Sequence, residues 1–186
     1  MSQSELTRNA VGYLLEMEES HSANAIFNPQ PVTGLYALVI GINDYEKARK
    51  LTGCVADARD IVSYLTGNLS VPVDSITTIL DAEATRANIL EKLEALANND
   101  LIAKDSPILI YYAGHGAKAS APKDWIVGGK DNQIEMLCPW DFNPTPNSTE
   151  NEQGIPDITV LSVLENLAEK KGNNIVCFRF HLFSKP

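Results

Sequence analysis

Cysteine and histidine are scarce in this sequence, with three of each among 186 residues. They are Cys54, Cys138, Cys177, His21, His115 and His181. No two cysteines have C-x-x-C spacing, and the six residues match no zinc-ligand pattern, so no metal site is predicted. Three cysteines cannot all pair with one another. A reducing, cytoplasmic environment is therefore the default expectation.

Positive charge is also in short supply, because 15 Lys and Arg residues face 24 Asp and Glu residues, for a net charge of −9. A chain this acidic is not expected to bind nucleic acid or an anionic membrane. The opening Ser2-Gln3-Ser4-Glu5 is polar and does not resemble a signal peptide. No apolar run reaches the roughly 20 residues that span a bilayer. No membrane partner is expected.

The glycine-rich motifs that hold phosphates are missing as well. Gly41-Ile42-Asn43-Asp44 follows an apolar run but lacks the G-x-G-x-x-G spacing of dinucleotide sites. The sequence contains neither a G-x-x-x-x-G-K-[ST] phosphate loop nor a G-x-S-x-G nucleophile elbow. We therefore predict no nucleotide cofactor and no α/β-hydrolase mechanism.

What the sequence does contain is an alternation of short apolar runs and helical stripes. The predicted strands are 35–42, 75–80, a third that ends at His115, a short edge strand at 134–138 and a last one from Asn174. The predicted helices are 4–18, 55–65, 85–96 and 159–169, with Thr85 as an N-cap and Gly172 as a C-terminal stop.

This order of elements is typical of an α/β fold. We expect a three-layer sandwich with a mainly parallel central sheet, in which the second and third strands lie on opposite sides of the first. Residues 1–34 are interpreted as an N-terminal helix and linker, 35–178 as the main domain and 179–186 as a divergent tail.

The third strand ends in the segment Gly114-His115-Gly116. We expect the two glycines to turn the chain sharply and to leave the imidazole unobstructed. Ligands bind at the carboxyl ends of strands in open α/β sheets, and histidine exchanges protons near neutral pH. His115 is thus either a functional residue or an incidental surface histidine at the end of a strand.

A second candidate lies where the first loop enters a helix. Cys54 and Asp57 fall in the first turn of that helix. The helix dipole can lower the pKa of a thiol at this position and make it reactive. The alternative for Asp57 is that it only stabilises the helix terminus.

Four blocks of the chain, in this order, resemble those of metacaspases, the caspase-like cysteine endopeptidases of fungi, plants and protists. They read ALVIGINDY at 37–45, LTGCVADA at 51–58, DAEATR at 81–86 and YYAGHG at 111–116. The later segments GIPD at 154–157 and KGNNI at 171–175 are similar to caspase-domain proteins of mushroom-type fungi. The resemblance implies a caspase-like fold.

In that family a Cys–His dyad cleaves peptide bonds, with a role in programmed cell death. The resemblance implies that His115 is the dyad histidine and that Gly116 donates an N–H to the oxyanion. It places Asp57, beside Cys54, in the pocket that selects Arg or Lys before the cleaved bond. Calcium-dependent members carry adjacent aspartates where only Asp157 stands, so calcium activation is not expected.

The sequence departs from the family where the nucleophile should lie. Family spacing places the nucleophile near His181 or Leu182, in an Asp-Cys-Cys-His-Ser-Gly-like segment that this chain lacks. Cys177 comes too early by more than about 10 Å, at roughly 3.3 Å per strand residue. In mid-strand we expect it to be buried and unreactive. The fold is therefore predicted to be incomplete at its C-terminus.

Three hypotheses follow for the function. The chain is a cysteine endopeptidase by family, acting on peptides or proteins but inactive in this form. Alternatively, it is a non-catalytic caspase-like module that pairs with or inhibits an intact paralogue. A weaker option is that Cys54 substitutes as the nucleophile.

Overall fold

A computed structural model of the chain describes residues 31–120, 133–145 and 153–183, with no side-chain description for 179–183. The predicted helix at 4–18 lies outside the described residues. The strands are β1 (Tyr36–Gly41), β2 (Ile76–Leu80), β3 (Ile108–Ser120), β4 (Gln133–Leu137), β5 (Ile155–Pro156) and β6 (Ile175–Phe183). The helices are α1 (Cys54–Gly67), α2 (Arg86–Asn98) and α3 (Asp157–Lys171).

The six strands form one mixed sheet with a parallel core. β1 pairs in parallel with β2 on one side and β3 on the other, and β6 pairs in parallel with β3. β4 and β5 extend the sheet with antiparallel pairing. The predicted α/β class, the position of the first strand between the second and third, and a short strand near 134–138 are confirmed. The prediction that this short strand is an edge is wrong, because β5 pairs with it.

β1 is buried on both faces and organises the two halves of the core. Leu38 and Ile40 face one apolar cluster, which includes residues of α2 and α3. Ala37 and Val39 face the other, which includes residues of α1. A strand whose alternate side chains both meet helices must be apolar throughout, as this one is. Helices therefore cover both faces, and the structure has three layers.

The helix boundaries follow from identifiable caps. The Thr85 side chain accepts a hydrogen bond from the Asn88 N–H at 3.3 Å, which confirms the predicted N-cap of α2. The Asp141 carboxylate accepts another from the Arg86 N–H at 2.9 Å. At the end of α3, Gly172 has φ of 90°, a left-handed value that favours glycine, and the predicted stop is confirmed.

β6 forms an edge of the sheet, because among the described residues it pairs only with β3. Beside it, on the face covered by α1, lies an apolar groove of about 390 Å³ whose lining includes Leu35, Leu65, Leu109, Val176 and Phe178. Val176 and Phe178 are 48% and 49% exposed. None of the helices in the described ranges combines the length and the hydropathy of a membrane-spanning segment.

Candidate functional site

His115 lies within a long strand and not at a turn. The prediction that Gly114 and Gly116 turn the chain sharply is wrong, because β3 continues through both of them. Gly114 is needed for a different reason. A Cβ at this position would lie 2.6 Å from the hydroxyl oxygens of both Tyr45 and Tyr112. The glycine makes space for two tyrosine side chains.

The His115 imidazole is buried, with only 4% of the residue exposed, so the expectation of an unobstructed ring is also wrong. Its Nε2 lies 2.7 Å from the carbonyl oxygen of Arg49. Because a carbonyl can only accept a hydrogen bond, Nε2 of the neutral ring carries the proton and donates it. Nδ1 is then the basic nitrogen. It is buried and has no hydrogen-bond partner among the described residues.

Two buried tyrosines hold the backbone at His115. The His115 N–H donates to the Tyr45 hydroxyl oxygen at 2.6 Å. The Tyr112 hydroxyl lies 2.9 Å from the carbonyl oxygen of His115 and 2.8 Å from that of Cys138. The Tyr45 and Tyr112 hydroxyls also bond to each other. The main chain on both sides of the His115 Cα is thus tied to phenol groups.

Both phenols are held in the neutral form. Burial is the largest influence on each, and it raises the pKa of Tyr45 and the pKa of Tyr112 above the ordinary value for tyrosine. Neither hydroxyl therefore loses its proton near neutral pH. The hydrogen-bond network keeps one protonation pattern over the range in which a histidine would act.

Cys54 and Asp57 lie close together at the start of α1. Cys54 is buried at 8% exposure, whereas Asp57 is exposed. Burial first, and then the charge of Asp57, raise the pKa of Cys54. The expectation that the helix dipole lowers this pKa is wrong, since desolvation of the thiolate outweighs the dipole. An exposed carboxylate at this terminus remains accessible to a ligand.

The other two cysteines differ sharply in exposure. Cys138 is 1% exposed, and burial raises its pKa to about 12. Its N–H donates to the His115 carbonyl oxygen at 3.0 Å. Cys177 was predicted to be buried, and this is wrong, because it lies exposed on the edge strand β6. A central strand would be covered on both faces, but no described element covers this part of β6.

The register of β3 and β6 locates the position opposite the histidine. The Cα of His115 pairs with that of Leu182, and the Cα of Cys177 pairs with that of Ile110. Cys177 therefore lies five residues before the level of His115, or roughly 16 Å along the strand. The backbone position facing His115 carries leucine.

No three His, Cys, Asp or Glu residues gather into a metal-ligand group within the described ranges 31–120, 133–145 and 153–183. Asp157 is therefore not part of a metal-ligand group within these ranges. Its carboxylate accepts a hydrogen bond from the N–H of Ile158 at 2.8 Å. The carboxylate thus serves the first turn of α3, where an acidic side chain is favoured.

Comparison with known families decides the affiliation. A family model described as the caspase domain matches residues 35–166, which is more than half of the chain. The chain belongs to the caspase-domain family. The metacaspase resemblance is thereby confirmed, and the family is one of cysteine peptidases. The catalytic roles of individual residues in this caspase domain stay predictions.

Several curated relatives are metacaspases. The caspase domain is similar to Metacaspase-3 of Arabidopsis thaliana, with 31% identity over 67% of this chain and 34% of that protein. It is 29% identical to Metacaspase-1 of Ajellomyces capsulatus, over 62% of this chain and 33% of the relative. The chain thus spans about a third of the length of these relatives.

A solved structure shares the fold. A crystal structure of a protein from Geobacter sulfurreducens superposes with a TM-score of 0.53 over 77% of this chain and 47% of that chain. The sequence identity is 20%, so the likeness concerns the fold alone. It agrees with the mainly parallel, helix-covered sheet described above.

The sequence reasoning found His115 but missed the groups around it. Tyr45, Tyr112 and the Arg49 carbonyl come from three different segments, and only the folded chain brings them together. One signal was available: Tyr45 and Tyr112 both lie in blocks that resemble metacaspases. Tyrosines in apolar surroundings usually find a hydrogen-bond partner, and this could have suggested a buried phenol pair.

Proposed function

We propose that this caspase domain provides the histidine of a cysteine endopeptidase site, with His115 as the general base and acid. We also propose that the domain acts in the cytoplasm, in programmed cell death. The observation that carries the proposal is the hydrogen bonding of the imidazole. Nε2 hydrogen-bonds to the Arg49 carbonyl, whereas Nδ1, the nitrogen that can accept a proton, has no hydrogen-bond partner within the described part of the chain. A buried nitrogen without a partner is unusual and suits a group that receives a proton.

In the proposed reaction, Nδ1 accepts the proton of a thiol, and the thiolate attacks the carbonyl carbon of a peptide bond. The imidazolium then returns the proton to the leaving amine, and water hydrolyses the thioester. The Arg49 carbonyl supports the charged ring throughout, because it accepts the Nε2 proton in either state.

The backbone direction of Gly116 suits the role of oxyanion donor. The His115 N–H and C=O both point away from β6, towards Tyr45 and the N–H of Cys138. Successive N–H groups of a strand point to opposite edges, so that of Gly116 points to the β6 side. Positions 181 and 182, near which the family places the nucleophile, belong to that strand. In this chain the same N–H takes part in the β3–β6 pairing, where Gly116 lies opposite Phe183. The proposed charge-stabilising contact from Gly116 therefore requires this end of β6 to separate from β3.

We propose that residues at the start of α1 select the substrate. Asp57 is exposed and acidic, and the electrostatic effect of its charge reaches Cys54 and Tyr111. A carboxylate there favours an arginine or lysine side chain before the cleaved bond. We propose that Cys54, three residues before Asp57, forms part of the wall of this pocket. Its burial and raised pKa disfavour the alternative that it acts as the nucleophile.

Because leucine occupies the position facing His115, we propose that this chain does not cleave peptides by itself. The test is an assay with fluorogenic peptides that end in arginine or lysine, under reducing conditions. The expected result is no turnover by the chain or by His115→Ala. Turnover that is lost in His115→Ala would contradict the proposed inactivity, and turnover that is lost only in Cys54→Ser would restore Cys54 as a nucleophile.

Substrate binding can be tested without turnover. An arginine-containing peptide is titrated into the chain while backbone NMR signals at the start of α1 are followed. We expect shifts near Asp57 that disappear in Asp57→Asn and persist in Asp60→Asn, a matched control on the same exposed helix surface. Equal loss in both variants would mean that the helix attracts cations without a specific pocket.

The second candidate function is a non-catalytic binding or regulatory module. The exposed Val176 and Phe178 beside an apolar groove favour it, because apolar side chains of this size at an uncovered strand suit a protein contact. The proposed partner is an intact paralogue. Co-purification with such a paralogue that is lost in Phe178→Ser, together with an absence of peptide cleavage, would support this function.

A further inference from the structure

We infer that Tyr45 is a positioning residue for His115: its hydroxyl fixes the backbone of the histidine, and its ring sets the orientation in which Nε2 reaches Arg49. The inference rests on the proposed role of His115 as a base. Its test requires no turnover, however, so the failure of one is distinguishable from the failure of the other.

The first support is the direct contact between the two residues. The Tyr45 and His115 ring centroids lie 4.7 Å apart with an interplanar angle of 48°. The Tyr45 hydroxyl oxygen also accepts the His115 N–H at 2.6 Å. One side chain therefore touches both the backbone and the imidazole of the histidine, which constrains rotation of the His115 side chain.

The second support is the direction of the hydrogen bonds. Carbonyl oxygens only accept, so the single proton of Tyr112 goes to the carbonyl oxygen of His115 or Cys138. The oxygen of Tyr45 already accepts the His115 N–H, and its own proton is therefore available to the oxygen of Tyr112. The resulting chain runs from the His115 N–H through both phenols to a backbone carbonyl. Every group in it has a partner, as a buried polar network requires.

The third support is that Tyr45 is itself fixed from both sides. The N–H groups of Asn43 and Asp44 donate to one carboxylate oxygen of Asp81, at 2.8 and 3.0 Å. After Tyr45, the N–H of Glu46 donates to the carbonyl oxygen of Trp140 at 3.1 Å. A residue can position another only if its own backbone is held, and this loop meets that condition.

The test uses the isotope-labelled full chain and two NMR readouts: hydrogen exchange of the His115 amide and the tautomer of its imidazole. Tyr45→Phe keeps the ring and removes the hydroxyl. We expect the His115 amide to exchange about tenfold faster relative to the amides of Leu109 and Ile110, the size of one lost net hydrogen bond. The Nε2–H tautomer is expected to persist.

Tyr45→Leu removes the ring as well. In this variant we expect the NMR signals of the His115 imidazole to indicate a mixture of tautomers and not the Nε2–H form alone. Tyr36→Phe is the matched control, since the exposed Tyr36 hydroxyl donates to the Leu101 carbonyl oxygen far from His115. It should leave both readouts unchanged.

The inference is overturned if the His115 amide in Tyr45→Phe exchanges at the parent rate. It is also overturned if all β3 amides accelerate equally, which would indicate a merely structural tyrosine, or if a folded Tyr45→Leu retains the Nε2–H tautomer. Should Tyr45→Leu fail to fold, the exchange pattern of Tyr45→Phe decides alone, because that variant keeps the buried ring.

Discussion

Two adjacent strands of the sheet, β3 and β6, differ sharply in burial and in hydrogen bonding. At His115 on β3, the backbone N–H, the backbone carbonyl and Nε2 all have hydrogen-bond partners, and the residue is 4% exposed. On β6, the paired neighbour, Val176 and Phe178 are about half exposed beside an apolar groove. His115 is held by hydrogen bonds from three segments, whereas the start of β6, which pairs with the start of β3, has exposed apolar side chains. The two regions lie four to six residues apart along the paired strands.

The largest expected effect comes from filling the space at Gly114. A methyl group in Gly114→Ala would collide with the hydroxyls of Tyr45 and Tyr112, both at 2.6 Å. The side chains are buried and cannot withdraw freely, so we expect a loss of about 2–4 kcal/mol in unfolding free energy. Urea unfolding measures this loss.

The control for this substitution is Gly67→Ala. A Cβ at Gly67 would meet nothing within 4 Å, and the position ends helix α1. Alanine there should leave the stability unchanged or raise it by up to about 1 kcal/mol. If both variants lost the same stability, crowding around the two tyrosines would not explain the glycine in β3.

Alkaline pH should lower the unfolding free energy, because thiol and phenol groups are buried around His115. Burial raises the pKa of Cys138 from 9.0 to about 12, so between these pH values the unfolded chain has lost a proton that the folded chain keeps. Stability therefore falls as pH rises, by about 1.4 kcal/mol per pH unit for this group. The two buried tyrosines, whose pKa values are also raised, add to the loss above pH 10.

Urea unfolding at several pH values between 8 and 11, with reductant present, checks this expectation. Cys138→Ala should show a shallower decline than the parent chain over that range, because its thiol no longer titrates. Parallel declines in the two chains would mean that Cys138 keeps an ordinary pKa in the folded state.

The smallest effect on stability is expected for substitutions in the edge strand β6. Val176 and Phe178 are about half exposed, so Val176→Ser/Phe178→Ser should cost about 1 kcal/mol or less. An uncovered apolar edge strand favours association between chains, and the same variant should shift the chain towards the monomer in analytical ultracentrifugation. Leu161→Ser, 54% exposed on α3, is the matched control and should leave association unchanged.

Much of this fold could be predicted because its elements are locally determined. β1 is apolar at every buried position, α2 has Thr85 at its start, and α3 has Gly172 at its end. In each case neighbouring residues carry the information. The class, the order of the core strands and the identity of the candidate histidine followed from such patterns.

The errors all concern properties set by distant segments. Gly114 and Gly116 resemble a turn locally, but pairing with β4 and β6 extends the strand through them. Cys54 lies at a helix N-terminus, yet packing against the sheet buries its thiol. Cys177 was expected to be covered, and no described neighbour covers it. Burial depends on which elements meet, and sequence periodicity does not encode this.

The central claim is that His115 is a poised base whose thiol partner belongs at position 182. The most direct measurement is the alkylation rate of Leu182→Cys, followed by peptide mapping, with and without His115→Ala. His181→Cys, at the preceding position of β6, is the matched control, because successive residues of a strand alternate between its faces. We predict that the thiol at 182 reacts at least about tenfold faster than that at 181, and that His115→Ala removes the difference. Equal rates at the two positions, or a fast rate that survives the loss of His115, would contradict the account.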